Sequence, residues 1–164
     1  MGRATPAEHR RSGYVVSTDA ARLDLDVIHG FLSTCYWSPG IPRETVARAM
    51  ANSLCFGASH EAEGSAAQGP RSLQVGFARI ISDFATYAYL CDVFVIEAHR
   101  GRGVSKLMME AVIAHPDLQG LRRLCLFTRD AHGLYTQFGF TPMPDPTRYL
   151  ERVVPAKVLY GQQA

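Results

Sequence analysis

The feature that most constrains this chain is a long apolar run, Tyr87–Ile96, in which Asp92 is the only charged residue. Apolar side chains on both faces are typical of a strand in the middle of a sheet. A helical stripe follows, formed by Val104, Leu107, Met108, Ala111 and Val112. The stripe stops at His115, before a proline, and Leu121–Thr128 is strand-like again. These segments predict a β-α-β unit with two parallel strands.

Other strands and helices are predicted on both sides of this unit. Strand-like runs occur at Tyr14–Ser17, Ser53–Ala58, Leu73–Ile81 and Thr147–Val154. Helical spacing or a helix-starting proline predicts helices over Leu25–Cys35, Arg43–Asn52 and Ala131–Phe138. The polar leader 1–12 and the small, polar stretch 60–71 lack such patterns, so we expect a flexible leader and a mobile loop.

Composition limits the class of protein. A chain of 164 residues with 47% hydrophobic and 20% charged residues fits one globular domain, residues 1–164. The net charge of +2 provides no basic field for nucleic acid. We find neither an uninterrupted apolar span nor an export signal, so we expect a cytoplasmic protein without membrane contact.

The four cysteines are far apart in the sequence, at Cys35, Cys55, Cys91 and Cys125. Zinc sites and redox motifs need closely spaced pairs, which are missing. We therefore expect reduced thiols and no metal site.

The turn between the central strand and its helix reads His99-Arg100-Gly101-Arg102-Gly103-Val104-Ser105. Free N–H groups at a helix N-terminus favour an anion, and glycines permit close approach, so a phosphate group is the expected ligand. Lys106 stands where a dinucleotide-binding pattern needs glycine, and the Walker pattern is missing. The alternative interpretation is a tight turn with solvated arginines.

This turn resembles the R/Q-x-x-G-x-G/A signature of the GCN5-related N-acetyltransferase (GNAT) superfamily, with Arg100 and Gly103 matching and Ser105 departing from Gly or Ala. Leu90–Val95 is similar to the fourth strand of that family, and Leu134–Phe140 to its LYxxxGF segment. The resemblance covers roughly residues 73–140, whereas the first 70 residues match only in the order of their elements.

The resemblance implies an α/β (α+β) GNAT-like domain whose mixed central sheet has roughly six to seven strands, flanked by about four helices. Splayed parallel strands would surround a cleft for acetyl-CoA, the acyl donor, with no metal required. The pyrophosphate would lie on N–H groups of 102–106, and the pantetheine arm along the central strand. The implied donor-binding residues are Phe94, Val95, Arg100, Gly101, Arg102, Gly103, Val104, Ser105, Lys106 and His132.

Two residues are candidates for the chemistry. Asp92, a charge within an apolar strand, is a candidate general base if a cleft solvates it, or else a residue that fixes the sheet. Tyr135 stands at the LYxxxGF position that, by resemblance, protonates the departing CoA sulfur. Its alternative role is to pack the helix on the sheet. Glu97 is a weaker candidate base and is expected to be a solvated turn residue.

The acceptor pocket is expected around the first two helices, where aromatic residues surround a Pro/Gly-rich loop: Phe31, Tyr36, Trp37 and Arg43. Alternatively, the aromatics only anchor the loop on the core. The resulting hypothesis is direct transfer of acetyl from acetyl-CoA to a primary amine of a small molecule through a ternary complex. Acetylation of a protein or peptide amine, or a non-catalytic CoA-binding sensor or scaffold, are the alternatives. The family also includes many dimers, so a homodimer is allowed.

Overall fold

The apolar runs and helical stripes form a curled six-stranded sheet with helices on both faces. The computed structural model describes residues 6–62 and 71–161. The strands are β1 (Glu8–Arg11), β2 (Tyr14–Ser17), β3 (Leu54–Ala62), β4 (Arg71–Ser82), β5 (Tyr87–Val95) and β6 (Arg123–Leu126). The helices are α1 (Leu25–Leu32), α2 (Arg43–Ala51), α3 (Val104–Ala114), α4 (His132–Tyr135) and α5 (Ala156–Leu159).

The strands lie in the sheet in their order along the chain, β1 to β6. Each neighbouring pair is antiparallel except β5 and β6, which are parallel and joined through α3. The predicted β-α-β unit is therefore confirmed. The mixed central sheet of an α/β domain, expected from the resemblance, is confirmed as well.

Two apolar clusters hold the helices on the sheet. On one face, α3 buries Leu107, Met108 and Val112 against β2 to β5. On the other face, Ile28 of α1 and Val46 of α2 pack with Phe77 and Phe94 of the sheet. Since burial of an aliphatic or aromatic side chain contributes about 1.5–3 kcal/mol, these two clusters fix both faces of β4 and β5.

The leader is more ordered than its polar composition suggested. Residues 8–11 form β1 and pair with β2, so the prediction of a flexible leader over 1–12 is wrong there; residues 1–5 lie outside the described part of the chain. Two arginines of β1 form ion pairs with residues that are distant in the sequence. Arg10 lies 2.7 Å from Glu61, and Arg11 lies 2.6 Å from Glu110. Such pairs depend on the tertiary fold and leave no local sequence pattern.

The prediction of a mobile loop over 60–71 is wrong at both of its ends, which belong to β3 and β4. His60 pairs with Leu73, and the β3–β4 ladder continues to residues 62 and 71. Glu61 is held by Arg10 and also by Arg22, at 2.8 Å. The remainder of this prediction, 63–70, lies outside the described residues.

The last predicted strand, Thr147–Val154, is wrong. Asp145 accepts a hydrogen bond from the Thr147 N–H at 3.1 Å and starts a 3-10 turn over Pro146–Arg148. Residues 149–155 then follow without regular structure. Among the described residues the sheet consequently has six strands, the lower of the two expected numbers, and β6 is its edge.

Candidate active site

A bulge in β5 creates the space at the centre of the sheet. Phe77 of β4 pairs with Phe94, but Arg79, two residues further on, pairs with Cys91, so β5 contains one extra residue. Asp92 lies in this bulge with a left-handed backbone, φ 54°. Asp tolerates this conformation better than most residues, although it still costs of order 1 kcal/mol. The bulge bends β5 and redirects the side chains around Asp92.

Beyond the bulge, β5 and β6 separate. They pair from Tyr87 with Arg123 to Leu90 with Leu126, and no β6 residue pairs with 91–95. The gap opens into a cleft of about 220 Å³ whose walls include Val93, Phe94, Val95, Val104, Leu134 and Tyr135. The splayed parallel strands predicted from the resemblance are therefore present.

The glycine turn closes one end of this cleft. Gly101 and Gly103 have φ of 72° and 79°, and a side chain on either would point into open space. The two glycines are thus needed for backbone conformation and leave the approach to the helix free. Within the described chain, none of the N–H groups of 101–106 donates a hydrogen bond. With the dipole of α3, they form an anion-binding end.

Arg100 links this turn to the central strand. Its Nε donates a hydrogen bond of 3.0 Å to the Val95 carbonyl, the last residue of β5. Arg100, Gly101 and Ser105 line the cleft, whereas Arg102 and Lys106 are exposed at its rim. The turn therefore combines a backbone held by Arg100 with exposed positive charge.

Tyr135 lies at the opposite wall of the cleft, on α4. Its side chain is buried, and its hydroxyl makes no hydrogen bond to another described residue. Burial raises the pKa of the Tyr135 phenol to about 12. The phenol therefore keeps its proton at physiological pH, which a general acid requires. The Thr128 hydroxyl accepts a hydrogen bond from the Ala131 N–H at the start of this helix.

A second cavity, of about 320 Å³, lies on the other side of the bulge. Its walls are largely apolar, with Leu32, Ile41, Val46 and Met50 from the α1–α2 region, and Val154 and Leu159 from the C-terminal part of the chain. The polar groups are concentrated at the sheet, where Arg79, Tyr89 and Asp92 line the cavity.

An ion pair forms the polar end of the second cavity. Arg79 Nε donates to Asp92 Oδ2 at 2.7 Å, and each side chain is 14% exposed. Trp37 Nε1 donates to Asp92 Oδ1 at 3.2 Å, so both carboxylate oxygens are held. Burial of the Arg79 guanidinium favours loss of its charge, but attraction to Asp92 and Cys91 outweighs this effect and raises the pKa of Arg79.

Cys91, beside Asp92, is not an activated nucleophile. Burial, reinforced by the Asp92 charge, raises the pKa of its thiol to about 12. The thiol donates a weak hydrogen bond of 3.5 Å to the Arg79 carbonyl. Since the thiolate is the reactive form, Cys91 has little nucleophilic character at neutral pH.

The predicted acceptor residues divide into two groups. Trp37 lines the second cavity, and Phe31 stacks on Phe94 with ring centroids 3.9 Å apart. Tyr36 instead packs against Trp37 and under the Arg129 guanidinium, 3.8 Å from its ring centroid. Arg43 points away and pairs with Asp26 at 2.7 Å, so the expectation that it lines the acceptor pocket is wrong.

Among the predicted donor residues, His132 is not brought to the cleft. It is exposed on the first turn of α4, and the cleft is lined instead by Ala131, Leu134 and Tyr135. Glu97 is exposed at the turn, as expected for a solvated residue.

Arg79 and Tyr89 belong to the cavity but were not predicted. A charge inside the apolar run of β4 is the signal that could have indicated Arg79, by the same reasoning that singled out Asp92. Residues 153–160 were missed because they reach the cavity only through the tertiary fold.

Comparison with known proteins agrees with this geometry. A family model described as an acetyltransferase (GNAT) domain matches residues 53–142. A candidate acetyltransferase of Gibberella zeae is 34% identical over 143 residues, 79% of this chain and 80% of that protein. The crystal structure of a candidate GNAT-family acetyltransferase from Xanthomonas campestris pv. campestris has a TM-score of 0.78 and 51% identity, covering 91% of this chain and 97% of its own.

A more distant structure, a Clostridium acetobutylicum acetyltransferase assigned by prediction and solved with acetyl-CoA, shares the fold. It has a TM-score of 0.55 and 16% identity, covering 85% of this chain and 94% of its own. The family match and the relatives show that the chain belongs to the GNAT family of acetyltransferases. The predicted family and enzyme class are confirmed.

None of the helices in the described ranges has the length and apolar character needed to cross a bilayer. Nor do three or more His, Cys, Asp or Glu side chains within these ranges form a group that could hold a metal ion.

The ion pair beneath the cavity should be important for stability. We expect Arg79→Met to lower the free energy of unfolding by about 3 kcal/mol, because it leaves the Asp92 charge without its partner in a mostly buried site. The matched control is Arg43→Met, which removes an equally short but exposed pair with Asp26 and should cost under about 1 kcal/mol. Urea unfolding of the two variants measures the difference; equal losses would contradict this role.

Proposed function

We propose that this enzyme transfers an acetyl group from acetyl-CoA to the primary amine of a small molecule, by direct attack within a ternary complex. The observation that carries the proposal is the meeting of the two cavities on β5. Asp92 lines the second cavity, and the next residue, Val93, lines the cleft between the splayed strands. Substrates in the two spaces would meet at the bulge.

The cleft suits the donor. In this proposal the pyrophosphate accepts hydrogen bonds from free N–H groups of 102–106, and Arg100, Arg102 and Lys106 add positive charge. The pantetheine arm runs along Phe94 and Val95, where the outer edge of β5 has no strand partner in the described chain. An N–H group there would bond the thioester oxygen as negative charge develops. The acetyl-CoA bound to the Clostridium fold neighbour supports this choice of donor.

The second cavity suits a small amine with an apolar body. Its volume of about 320 Å³ is in the range of small-molecule sites, and its walls are mainly aliphatic. A carboxylate has about four acceptor positions, and Arg79 and Trp37 occupy two of those on Asp92. The remaining positions would receive the ammonium group. Val154 and Leu159 extend the apolar wall of the cavity, which favours a compact acceptor with an apolar body over an amine on a protein surface.

The chemistry begins with deprotonation of the amine. With an ordinary pKa near 10.4, an alkylamine is neutral in only about one molecule in 10³ at pH 7. In the proposed mechanism Asp92 takes the proton, directly or through a water molecule. The nitrogen lone pair then forms a bond with the thioester carbon. The resulting tetrahedral intermediate releases the extra proton on its nitrogen to water and breaks its C–S bond, which leaves the neutral amide.

The leaving thiolate completes the reaction. Tyr135 donates its phenolic proton to the sulfur, giving free CoA, and regains a proton from solvent. The raised pKa of Tyr135 keeps that proton available over the working pH range. Direct transfer is also supported by Cys91, because its burial disfavours the thiolate that an acetyl-enzyme intermediate would require.

The donor site is tested by calorimetric titration of acetyl-CoA, and of dephospho-CoA, which retains the pyrophosphate. We expect Gly103→Glu to abolish micromolar binding of both, because it places bulk and negative charge at the start of α3. Gly120→Glu is the matched control: Gly120 has φ 76°, faces open space and lies beyond the other end of α3. Absence of binding to the unmodified enzyme would overturn the donor assignment.

Removal of the proposed acid should slow the reaction without weakening donor binding. Tyr135→Phe is expected to lower kcat by about tenfold to a hundredfold, because a thiolate is a fair leaving group even without protonation. With the intact enzyme, the pKa of about 12 predicts no alkaline loss of activity due to Tyr135 below pH 10. Tyr87→Phe, at the far end of β5, serves as the control. An unchanged kcat in Tyr135→Phe would exclude it as the acid.

The acceptor class is tested with a panel of amines. We expect acetylation of compact alkyl and arylalkyl amines, no acetylation of a lysine-containing peptide, and a rise in amine KM in Asp92→Asn. Initial rates with both substrates varied should give intersecting lines, as a ternary complex requires. Parallel lines would indicate a covalent intermediate, and turnover of the peptide alone would contradict the small-molecule proposal. Acetyl-CoA binding with no turnover of any amine would favour a non-catalytic sensor.

A further inference from the structure

Tyr89 is a polar residue of the second cavity that the proposed reaction does not use. It lies on β5 and lines the cavity together with Arg79 and Asp92. Its ring packs edge-on against the ring of Phe127, which follows β6, with centroids 5.6 Å apart. The Tyr89 hydroxyl makes no hydrogen bond to any residue in the described ranges, so it is available to a ligand.

The bulge in β5 brings Tyr89 to the same cavity as Asp92. Side chains alternate between the two faces of a regular strand, so residues 89 and 92, three positions apart, would lie on opposite faces. The extra residue in β5 shifts this alternation, and Tyr89, Cys91 and Asp92 all line the second cavity. Burial raises the pKa of the Tyr89 phenol to about 12, with smaller contributions from Cys91 and Asp92. The phenol therefore keeps its proton at neutral pH and can donate a hydrogen bond.

The charged groups at the sheet end of the cavity already have partners. Arg79 donates to Asp92 through Nε and to the Ser53 hydroxyl through Nη1, at 2.7 and 3.1 Å. Trp37 donates to the other oxygen of Asp92. The charges of Arg79 and Asp92 also balance each other. The cavity therefore has carboxylate oxygens for an ammonium group and, in Tyr89, an uncharged donor for an oxygen atom.

We propose that Tyr89 determines which amines the enzyme prefers: the preferred acceptor carries, besides the reacting nitrogen, a neutral oxygen that accepts a hydrogen bond from the Tyr89 hydroxyl. The inference rests on the proposed function, since it names a class of amine for the same cavity. An ether, carbonyl or hydroxyl oxygen suits an uncharged phenol. Two polar contacts, at Asp92 and Tyr89, would fix the direction of a substrate between walls that are otherwise mainly aliphatic.

Ether amines and their carbon isosteres test this role. Methoxyethylamine, methoxypropylamine and methoxybutylamine, with the two functional groups at opposite ends of the chain, are compared with butylamine, pentylamine and hexylamine, in which a methylene replaces the oxygen. Dissociation constants are measured by calorimetry with CoA present, and kcat/KM with acetyl-CoA. We expect an ether amine to be preferred over its isostere, and Tyr89→Phe to lower that affinity ratio about tenfold, because only the hydrogen bond to the oxygen is lost.

Two other tyrosines provide matched controls. Tyr87→Phe removes a hydroxyl on the same strand that lies 2.8 Å from the Cys125 thiol and is not part of the cavity wall. Tyr160→Phe removes the hydroxyl of another tyrosine that lines the cavity. Both variants should keep the preference for the ether amine. A preference that survives Tyr89→Phe, or one that is lost in Tyr160→Phe, overturns the proposal.

Failure of the proposed function would give a different result. The affinity ratios are measured without transfer, so they test Tyr89 even if no amine is acetylated. If ether amines and alkylamines bind and react equally well in every pair, the transfer reaction stands and the role of Tyr89 is wrong. A preference for an amine that carries a carboxylate, such as an aminoalkanoate, would assign the second contact to Arg79 and would also overturn the proposal.

Discussion

The ion pair between Arg79 and Asp92 stabilises the bulge on which the rest of the site depends. Asp92 has a left-handed backbone that costs energy, and its carboxylate is held by Arg79 at 2.7 Å and by Trp37 at 3.2 Å. These bonds join β4, β5 and the loop after α1. Because the bulge turns β5 away from β6, one local distortion provides both the cleft proposed for the donor and the polar end of the cavity proposed for the acceptor.

Aromatic packing against α1 also supports this strand. Phe94, two residues after Asp92, stacks on Phe31 of α1, and Phe31 also contacts Trp37, which donates to Asp92. A displacement of α1 would therefore move both the cavity wall and the strand along which the donor is proposed to lie. The cleft and the second cavity thus share supporting residues as well as the strand that separates them.

Hydrophobic periodicity predicted the correct structure where a segment's own residues determine which other segments it packs against. The apolar run of β5 and the stripe of α3 predict the β-α-β unit, and the glycine turn between them locates the anion-binding end. β1 escaped prediction because its polar residues are held by Glu61 and Glu110, which are distant in sequence. Thr147–Val154 has strand-forming residues but no strand beside it in the described chain, so propensity alone was misleading. Arg43 was expected in the acceptor pocket because of the composition of its loop. Composition does not reveal that its side chain pairs with Asp26 instead.

The left-handed backbone at Asp92 also limits how this position can vary during evolution. Only Gly, Asn and Asp adopt that conformation readily, and of these three only Asp carries a charge to oppose Arg79. Backbone geometry and electrostatics thus select the same amino acid for separate reasons. A lineage that exchanged Asp92 for Asn would keep the bend of the strand while leaving a guanidinium unpaired, so a change at one of the two positions would favour a compensating change at the other.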